Sequence, residues 1–194
     1  MQLRRRCSLE YISESKEMLQ EEENFKSQKR QSPMQSVQIF LLNLLIIITL
    51  IWILFGFVIG VAVAPNNDMS PNIKATDFLM YYRLENNYSA QDIVVIRKNS
   101  TLYVGRIVAV DGDTVNITDD EKLQINGSIM SETNIYTSTP RYEGFAEYPL
   151  TVPKGACFVL SDMRYGGEDS RYYGLVYQNE ILGKVTAVLR RNNM

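Results

Sequence analysis

The sequence predicts a mainly β protein, in which an antiparallel β-sheet domain follows one N-terminal transmembrane helix. Two observations support this prediction. A long apolar segment without charges lies between Arg30 and Asp68. After it come short β-branched and aromatic runs separated by turn residues, with no long segment of 3.6-residue periodicity after residue 65.

Residues 1–36 form a charged segment, which we expect to be a cytoplasmic tail. The stretch contains good helix formers, and Glu22 and Lys26 are spaced for an i,i+4 ion pair. Its apolar residues make only a weak stripe. A solvated or partly helical tail is therefore favoured over a docking helix.

Residues 37–64 are expected to form the transmembrane helix. A bilayer core of about 30 Å needs roughly 20 apolar residues, whereas the apolar region of a cleavable signal peptide is usually about 7–15 residues long. Lys26, Lys29 and Arg30 precede the segment, and the next basic residue is Lys74. The positive-inside rule then predicts a single-pass protein of the cell membrane with its N-terminus in the cytoplasm.

Residues 65–194 are expected to form the extracytoplasmic β domain. About 130 residues can bury a core of their own. Turns are predicted at Asp111-Gly112-Asp113 and at Asn126-Gly127, and an Asn-Gly pair between strand-like runs is a strong hairpin signal. A single helical turn is expected only near residues 89–92. Cys157 lies in an apolar run and is expected in the core.

Composition excludes several classes of function. The formal net charge of −2 does not favour a nucleic-acid partner. The chain has no histidine, which excludes a Ser-His-Asp triad, a Cys-His pair and histidine metal ligands. Cys7 and Cys157 are expected on opposite sides of the membrane, so they cannot pair, and no metal or other cofactor is expected. An outer domain without disulfides suits a Gram-positive surface.

Four segments in fixed order form the most specific pattern: 66–79, 89–98, 103–117 and 159–176. Together with the apolar helix they resemble type I signal peptidases, the bacterial membrane enzymes that cut signal peptides. The resemblance covers about residues 40–189. It implies a serine endopeptidase with a Ser–Lys dyad, in which a lysine kept neutral by desolvation removes the proton of the serine.

The dyad is missing from this sequence. Asp68 stands at the position of the nucleophile, Gly105 at that of the general base, and Gly167 at that of a supporting serine. The resemblance therefore implies a pseudoenzyme. Several framework residues remain and are expected to form a structural network, with Asp162 paired to Arg164 or Arg171: Asp162, Arg164, Asp169, Ser170 and Arg171.

Other residues are poor substitutes for the dyad. Ser70 occupies a variable position of the motif and precedes Pro71, which restricts its backbone. No outer lysine stands at position 105. An aspartic mechanism would need Asp68 to share a proton with Asp162. Asp68 itself could be solvated at the mouth of the cleft, partnered by a cation or a backbone donor, or raised in pKa. The space beside Gly105 could be collapsed, hydrated or filled by a partner side chain.

The resemblance implies a cleft that accepts an extended peptide, and binding needs neither nucleophile nor base. The expected cleft residues are Asp68, Met69, Pro71, Gly105 and Arg106. Met69 and Pro71 also suit packing and turn formation. The similarity to streptococcal signal-peptidase-like proteins of pilus assembly implies a non-catalytic helper that binds pilin precursors beside a sortase. The alternatives are an active signal peptidase with altered catalytic residues and a structural surface protein whose cleft is irrelevant.

Overall fold

A computed structural model describes residues 18, 20–22, 33–133, 135, 137–142 and 146–190. The chain divides into two compact units, Met1–Ile51 and Trp52–Met194. Most of the expected cytoplasmic tail, residues 1–36, lies outside the described residues.

The long helix α1 runs over Pro33–Ile53 and continues as a π-helical turn over Leu54–Val58. Residues Met34–Val58 form a candidate membrane span of 25 residues with a mean hydropathy of 2.8, and none of it is buried inside the protein. An apolar surface on every side of a helix suits lipid better than water. One such helix is consistent with a single-pass membrane protein.

The helical segment differs from the expected span of residues 37–64. It starts earlier, at Pro33, and ends at Val58, because Ile59–Val63 forms strand β1 instead. The backbone of β1 pairs along its whole length with the next strand of the sheet. A paired strand next to the helix satisfies the backbone groups as well as further helix would.

The larger sheet has seven strands in the order β1-β2-β11-β3-β4-β9-β10, and every neighbouring pair is antiparallel. Its remaining strands are β2 (Phe78–Tyr82), β3 (Ile93–Lys98), β4 (Thr101–Ala109), β9 (Ala156–Leu160), β10 (Val176–Tyr177) and β11 (Ile181–Leu189). The expectation of a mainly antiparallel β domain is confirmed.

The smaller sheet has four strands in the order β7-β6-β5-β8. They are β5 (Thr114–Ile117), β6 (Leu123–Ile125), β7 (Ser128–Ile129) and β8 (Leu150–Thr151). Asn126 and Gly127 join β6 to β7, with φ values of 53° and 79°. Both residues are left-handed, as a two-residue hairpin turn requires, so the predicted hairpin is confirmed.

Three apolar clusters form the core. The first packs β5 and β6 of the smaller sheet against β4 and β9, around Phe158 and Leu160. The second lies under the segment between β1 and β2, where Met69 and Ile73 pack on Val95. The third lies on the opposite face of the larger sheet, because neighbouring residues of a strand point to opposite sides. Cys157 is buried there as a free thiol, as expected.

Two short helices follow β9. Helix α2 spans Ser170–Tyr173, and its N-cap Asp169 accepts a hydrogen bond from the Arg171 amide. A 3-10 helix follows over Gln178–Glu180. Neither helix was predicted from the sequence, because each is too short to show periodicity. The helical turn expected near residues 89–92 is a simple turn closed by the Asp92 amide on the Ser89 carbonyl.

Candidate functional site

The first site motif lies in a loop that crosses one face of the larger sheet. The loop is closed at its ends, where the Ala64 amide donates to the Asp77 carbonyl at 2.9 Å and the Thr76 amide to the Ala64 carbonyl at 3.0 Å. Met69 is almost fully buried beneath the loop. Met69 therefore anchors the loop by packing, whereas Pro71 is exposed on the loop's surface.

Asp68 is half-buried and is held by donors instead of a cation. Its Oδ2 accepts from Asn66 Nδ2 at 2.7 Å and from the Glu168 amide at 3.1 Å. Its backbone carbonyl accepts from the Met163 amide at 2.7 Å. Burial raises the pKa of the Asp68 carboxyl. The hydrogen bonds that the carboxylate accepts from Glu168 and Asn66 partly oppose that shift. Two of the three expected outcomes, a backbone partner and a raised pKa, occur together.

Gly105 is buried in β4, where it pairs with Val94 of β3. A Cβ atom added to Gly105 would overlap Val159 Cγ1 and lie 3.4 Å from the Leu160 carbonyl oxygen. The valine side chain thus fills the space next to the glycine. Any side chain at position 105 therefore requires the Val159 side chain to shift.

The space beside Gly167 is also filled by a neighbouring side chain. A Cβ atom added there would overlap Ser161 Oγ and lie 2.7 Å from the Met163 carbonyl oxygen. Ser161 stands where the family pattern has glycine. Its fully buried hydroxyl lies 2.8 Å from both the Met163 carbonyl and Asp169 Oδ2. Ser161 therefore fills the space beside Gly167 and binds backbone and carboxylate.

The expected pairing of Asp162 with Arg164 or Arg171 is wrong. Arg106 Nε and Nη2 bind the two Asp162 oxygens at 2.8 and 2.7 Å, and Asn72 Nδ2 adds a bond of 2.8 Å. Arg106 pairs across the sheet with Leu160, two residues before Asp162, and this register brings the two charges together. The hydrogen bond to Asp162 raises the pKa of the Arg106 guanidinium. Since Asp162 is committed to Arg106, it is not available to share a proton with Asp68.

Arg164 and Arg171 bind other partners. Arg171 makes a bidentate pair with Asp169, with distances of 2.9 and 2.7 Å, and also donates to the Pro140 carbonyl at 3.0 Å. Ser170 Oγ accepts from the Val159 amide at 2.9 Å. These contacts make a buried network on the loop between β9 and α2.

Arg164 is fully buried and donates to Glu132 at 2.6 Å and to Thr139 at 3.0 Å. Tyr142 donates to the Gly167 carbonyl at 3.1 Å, and its ring lies 4.3 Å from the Arg171 guanidinium carbon. The sequence analysis missed Glu132, Thr139 and Tyr142. They lie between β7 and β8 in irregular backbone, where no periodicity or motif marks them.

None of the lysines that the structure describes is placed as a desolvated base. Lys98 binds the Leu175 carbonyl at 2.6 Å and Glu180 at 3.2 Å. Lys184 pairs with Asp92 at 2.7 Å, and this contact raises the pKa of the ammonium, opposite to what a general base needs. The other three are exposed: Lys74, Lys122 and Lys154. Within the described ranges, no group of three His, Cys, Asp or Glu residues could hold a metal.

The chain is similar to known signal peptidases along most of its length. The family model described as signal peptidase, peptidase S26, matches residues 11–190. An inactive signal peptidase IA of Staphylococcus aureus (strain COL) is 27% identical over 161 residues, which cover 79% of this chain and 91% of that protein. A probable signal peptidase I-2 of Synechocystis is 27% identical over 171 residues, covering 81% and 76%.

A crystal structure of a signal peptidase I from Enterococcus faecalis V583 is also similar, with 29% identity and a TM-score of 0.43, over 52% of this chain and 98% of that one. The relatives include proteins named inactive and proteins named as signal peptidases. Relationship alone therefore does not decide activity. The family model covers most of the sequence, and so this chain belongs to the signal peptidase family, peptidase S26.

Proposed function

We propose that this protein is a catalytically inactive signal-peptidase-like protein, anchored in the membrane, that binds an extended peptide without cutting it. The observation that supports this most directly is the filling of the reaction centre. Val159 occupies the space beside Gly105, and Ser161 occupies the space beside Gly167. A serine protease needs a hydroxyl that a base activates; here Asp68 stands in place of the hydroxyl, and Val159 lies where the side chain of the base would begin.

A strand edge leads towards this site. Among the described residues β1 pairs only with β2, so its outer edge is free, and the chain runs on from Val63 to Asp68. Free edges bind extended peptides through main-chain hydrogen bonds, while nearby side chains select the sequence. Met163, whose amide binds the Asp68 carbonyl, is 42% exposed and offers an apolar contact beside the site.

The partner in this proposal is a pilin precursor, and the protein acts beside a sortase during pilus assembly. The support is the resemblance to streptococcal signal-peptidase-like proteins. The basic residues before the apolar helix support a cytoplasmic N-terminus and an outer β domain.

A cleavage assay separates this proposal from the alternative of an active peptidase. The full-length protein in detergent is incubated with a pilin precursor, beside Asp68→Ala and the exposed control Asp120→Ala. We expect no cleaved product from any of the three. Cleavage that disappears in Asp68→Ala but persists in Asp120→Ala would overturn the proposal.

A binding and assembly assay tests the cleft itself. Met163→Asp places a charge beside Asp68, and Tyr177→Asp is its control, because Tyr177 is similarly exposed, at 47%, on β10 at the opposite edge of the sheet. We expect Met163→Asp to weaken pilin binding about fivefold or more and to reduce pilus assembly, as for an interface hot spot. Normal pili from a folded Met163→Asp variant would instead favour a structural protein with an irrelevant cleft.

A further inference from the structure

A cavity of about 250 Å³ lies among the β2–β3 connection, the β4–β5 turn and the strands β9 and β10. None of the proposed cleft residues lines it. It is therefore a separate feature of the domain, and its role does not depend on the function proposed for the cleft.

The walls of the cavity include three amide side chains, those of Asn86, Asn87 and Gln178, beside apolar and aromatic ones. Val110, Val176 and Ile181 line it beside Tyr88. These four residues belong to the third apolar cluster or pack against it, so the walls are held by the core. Such walls suit an aliphatic chain or the aliphatic stem of a long side chain.

The one charge at the cavity is negative. Asp111 is the only charged residue among those that line it, and it is exposed. Within the described part of the chain, its carboxylate has no hydrogen bond or ion pair. The neighbouring acids Glu180 and Asp92 are already paired with Lys98 and Lys184. The unpaired Asp111 carboxylate gives the cavity a preference for a cation.

We propose that this cavity binds the lysine side chain of a second polypeptide, with the stem against Val110 and Ile181 and the ammonium at Asp111. The volume lies below the roughly 300–1,000 Å³ of pockets for drug-sized ligands, which favours a single side chain. The Tyr88 ring adds a surface that attracts a cation. A compact ammonium can keep its remaining donors in water at the exposed carboxylate. The five donors of an arginine need several acceptors at once, whereas the single carboxylate of Asp111 can pair with two of them.

The proposal is tested by titrating the full-length protein in detergent micelles with Nα-acetyl-lysine methylamide while recording amide NMR shifts. We expect saturable shifts at Gly155 and Cys157, which line the cavity. Asp111→Asn should weaken the interaction about threefold to fivefold, the range for a solvent-exposed ion pair. The control Asp120→Asn removes an equal charge from an exposed residue away from the cavity, and should leave the affinity unchanged.

Two further ligands test which chemical group the cavity recognises. Nα-acetyl-norleucine methylamide keeps an aliphatic stem without the ammonium, and the arginine analogue replaces the ammonium with a guanidinium. We expect both to bind several-fold more weakly than the lysine analogue. Equal binding of the norleucine analogue, or no effect of Asp111→Asn, would overturn the ammonium site. Equal binding of the arginine analogue would overturn the preference for lysine, and absent shifts at the cavity would overturn the site altogether.

Discussion

At position 105, where the family resemblance places the general base, Val159 occupies the space that an added side chain would need. Ser161 does the same beside Gly167. Because well-packed interiors resist added atoms, we expect that restoring the dyad residues alone does not restore catalysis.

Gly105→Ala tests this packing. We expect it to lower the free energy of unfolding by about 1–3 kcal/mol, because the new methyl group overlaps Val159 Cγ1. In Gly105→Ala/Val159→Ala the overlap is gone, so the two substitutions should cost less together than the sum of their separate costs. Urea denaturation of all four proteins of the cycle measures the coupling. Additive costs would show that Val159 does not fill this space.

The overlap with Val159 also leads to a prediction about cleavage. Asp68→Ser/Gly105→Lys should produce no cleaved pilin precursor and should be less stable than the parent protein. Adding Val159→Ala, Ser161→Gly and Gly167→Ser restores both the room and the family pattern, and is the combination in which cleavage could return. Cleavage by the double variant alone, measured by gel, would contradict the steric explanation.

Asp68 also makes the stability of the protein depend on pH. Its pKa is raised on folding by burial, so the folded protein binds this proton more tightly than the unfolded chain does. Stability from this group is therefore highest below the unfolded pKa of about 3.8 and falls as pH rises through the higher folded value. Asp68→Asn removes the ionisable carboxyl, and with it the free-energy cost of a half-buried negative charge. We expect it to raise stability at pH 7 by less than about 1 kcal/mol, given the partial exposure, and to have a smaller benefit at pH 4. Denaturation curves at both pH values, with Asp120→Asn as the control, measure the difference; an equal benefit at both would contradict it.

At the scale of elements, the β9–α2 loop is held by buried charges. Asp169 caps α2, pairs with Arg171 and meets Ser161, all inside the protein. A buried pair is costly to break, because removing one partner leaves the other charge unpaired away from water.

Asp169→Ala should therefore lower the free energy of unfolding by about 3–5 kcal/mol. Asp119→Ala is the matched control, because Asp119 also pairs with an arginine, Arg141, but is 96% exposed in its side chain. That exposed pair should contribute at most about 1 kcal/mol. Chemical denaturation measures the free energy of unfolding of the two variants. Similar losses would show that the buried pair contributes no more to stability than the exposed pair does.

At the scale of the whole molecule, the proposed topology places the β domain outside the cell. Cys157 is buried, and burial raises the pKa of its thiol to about 12, which keeps it unreactive in the folded state. Lys154→Cys, at an exposed position of the same domain, should be labelled by a membrane-impermeant maleimide in intact cells.

Labelling is compared in a Cys7→Ser background, because the thiol of Cys7 would otherwise be labelled as well. In that background the protein without Lys154→Cys should be labelled only after denaturation, since Cys157 is its one remaining thiol and is buried. If Lys154→Cys in that background were labelled only after lysis, the proposed orientation would be wrong. Asn99→Cys is less suitable as a probe, since Asn99 has a φ of 50° and a cysteine there would strain the turn.

Several features could be predicted from patterns of residues that are close along the chain. Apolar length predicted the helix before the β domain, period and turn residues predicted antiparallel strands, and Asn126-Gly127 marked its hairpin. The motif positions also identified Asp68, Gly105 and Gly167 as departures from the family. Each of these follows from residues that are neighbours along the chain.

The surroundings of those positions depend on contacts between segments that the linear pattern does not reveal. The register of β4 on β9 brings Arg106 to Asp162, and the pairing of β1 with β2 ends the helix before residue 64. Val159 fills the space beside Gly105 because β9 pairs with β4, and Ser161 fills the space beside Gly167 because the loop after β9 folds back on itself. Contacts of this kind depend on how strands align across the sheet, and a linear pattern of residue types does not specify that alignment.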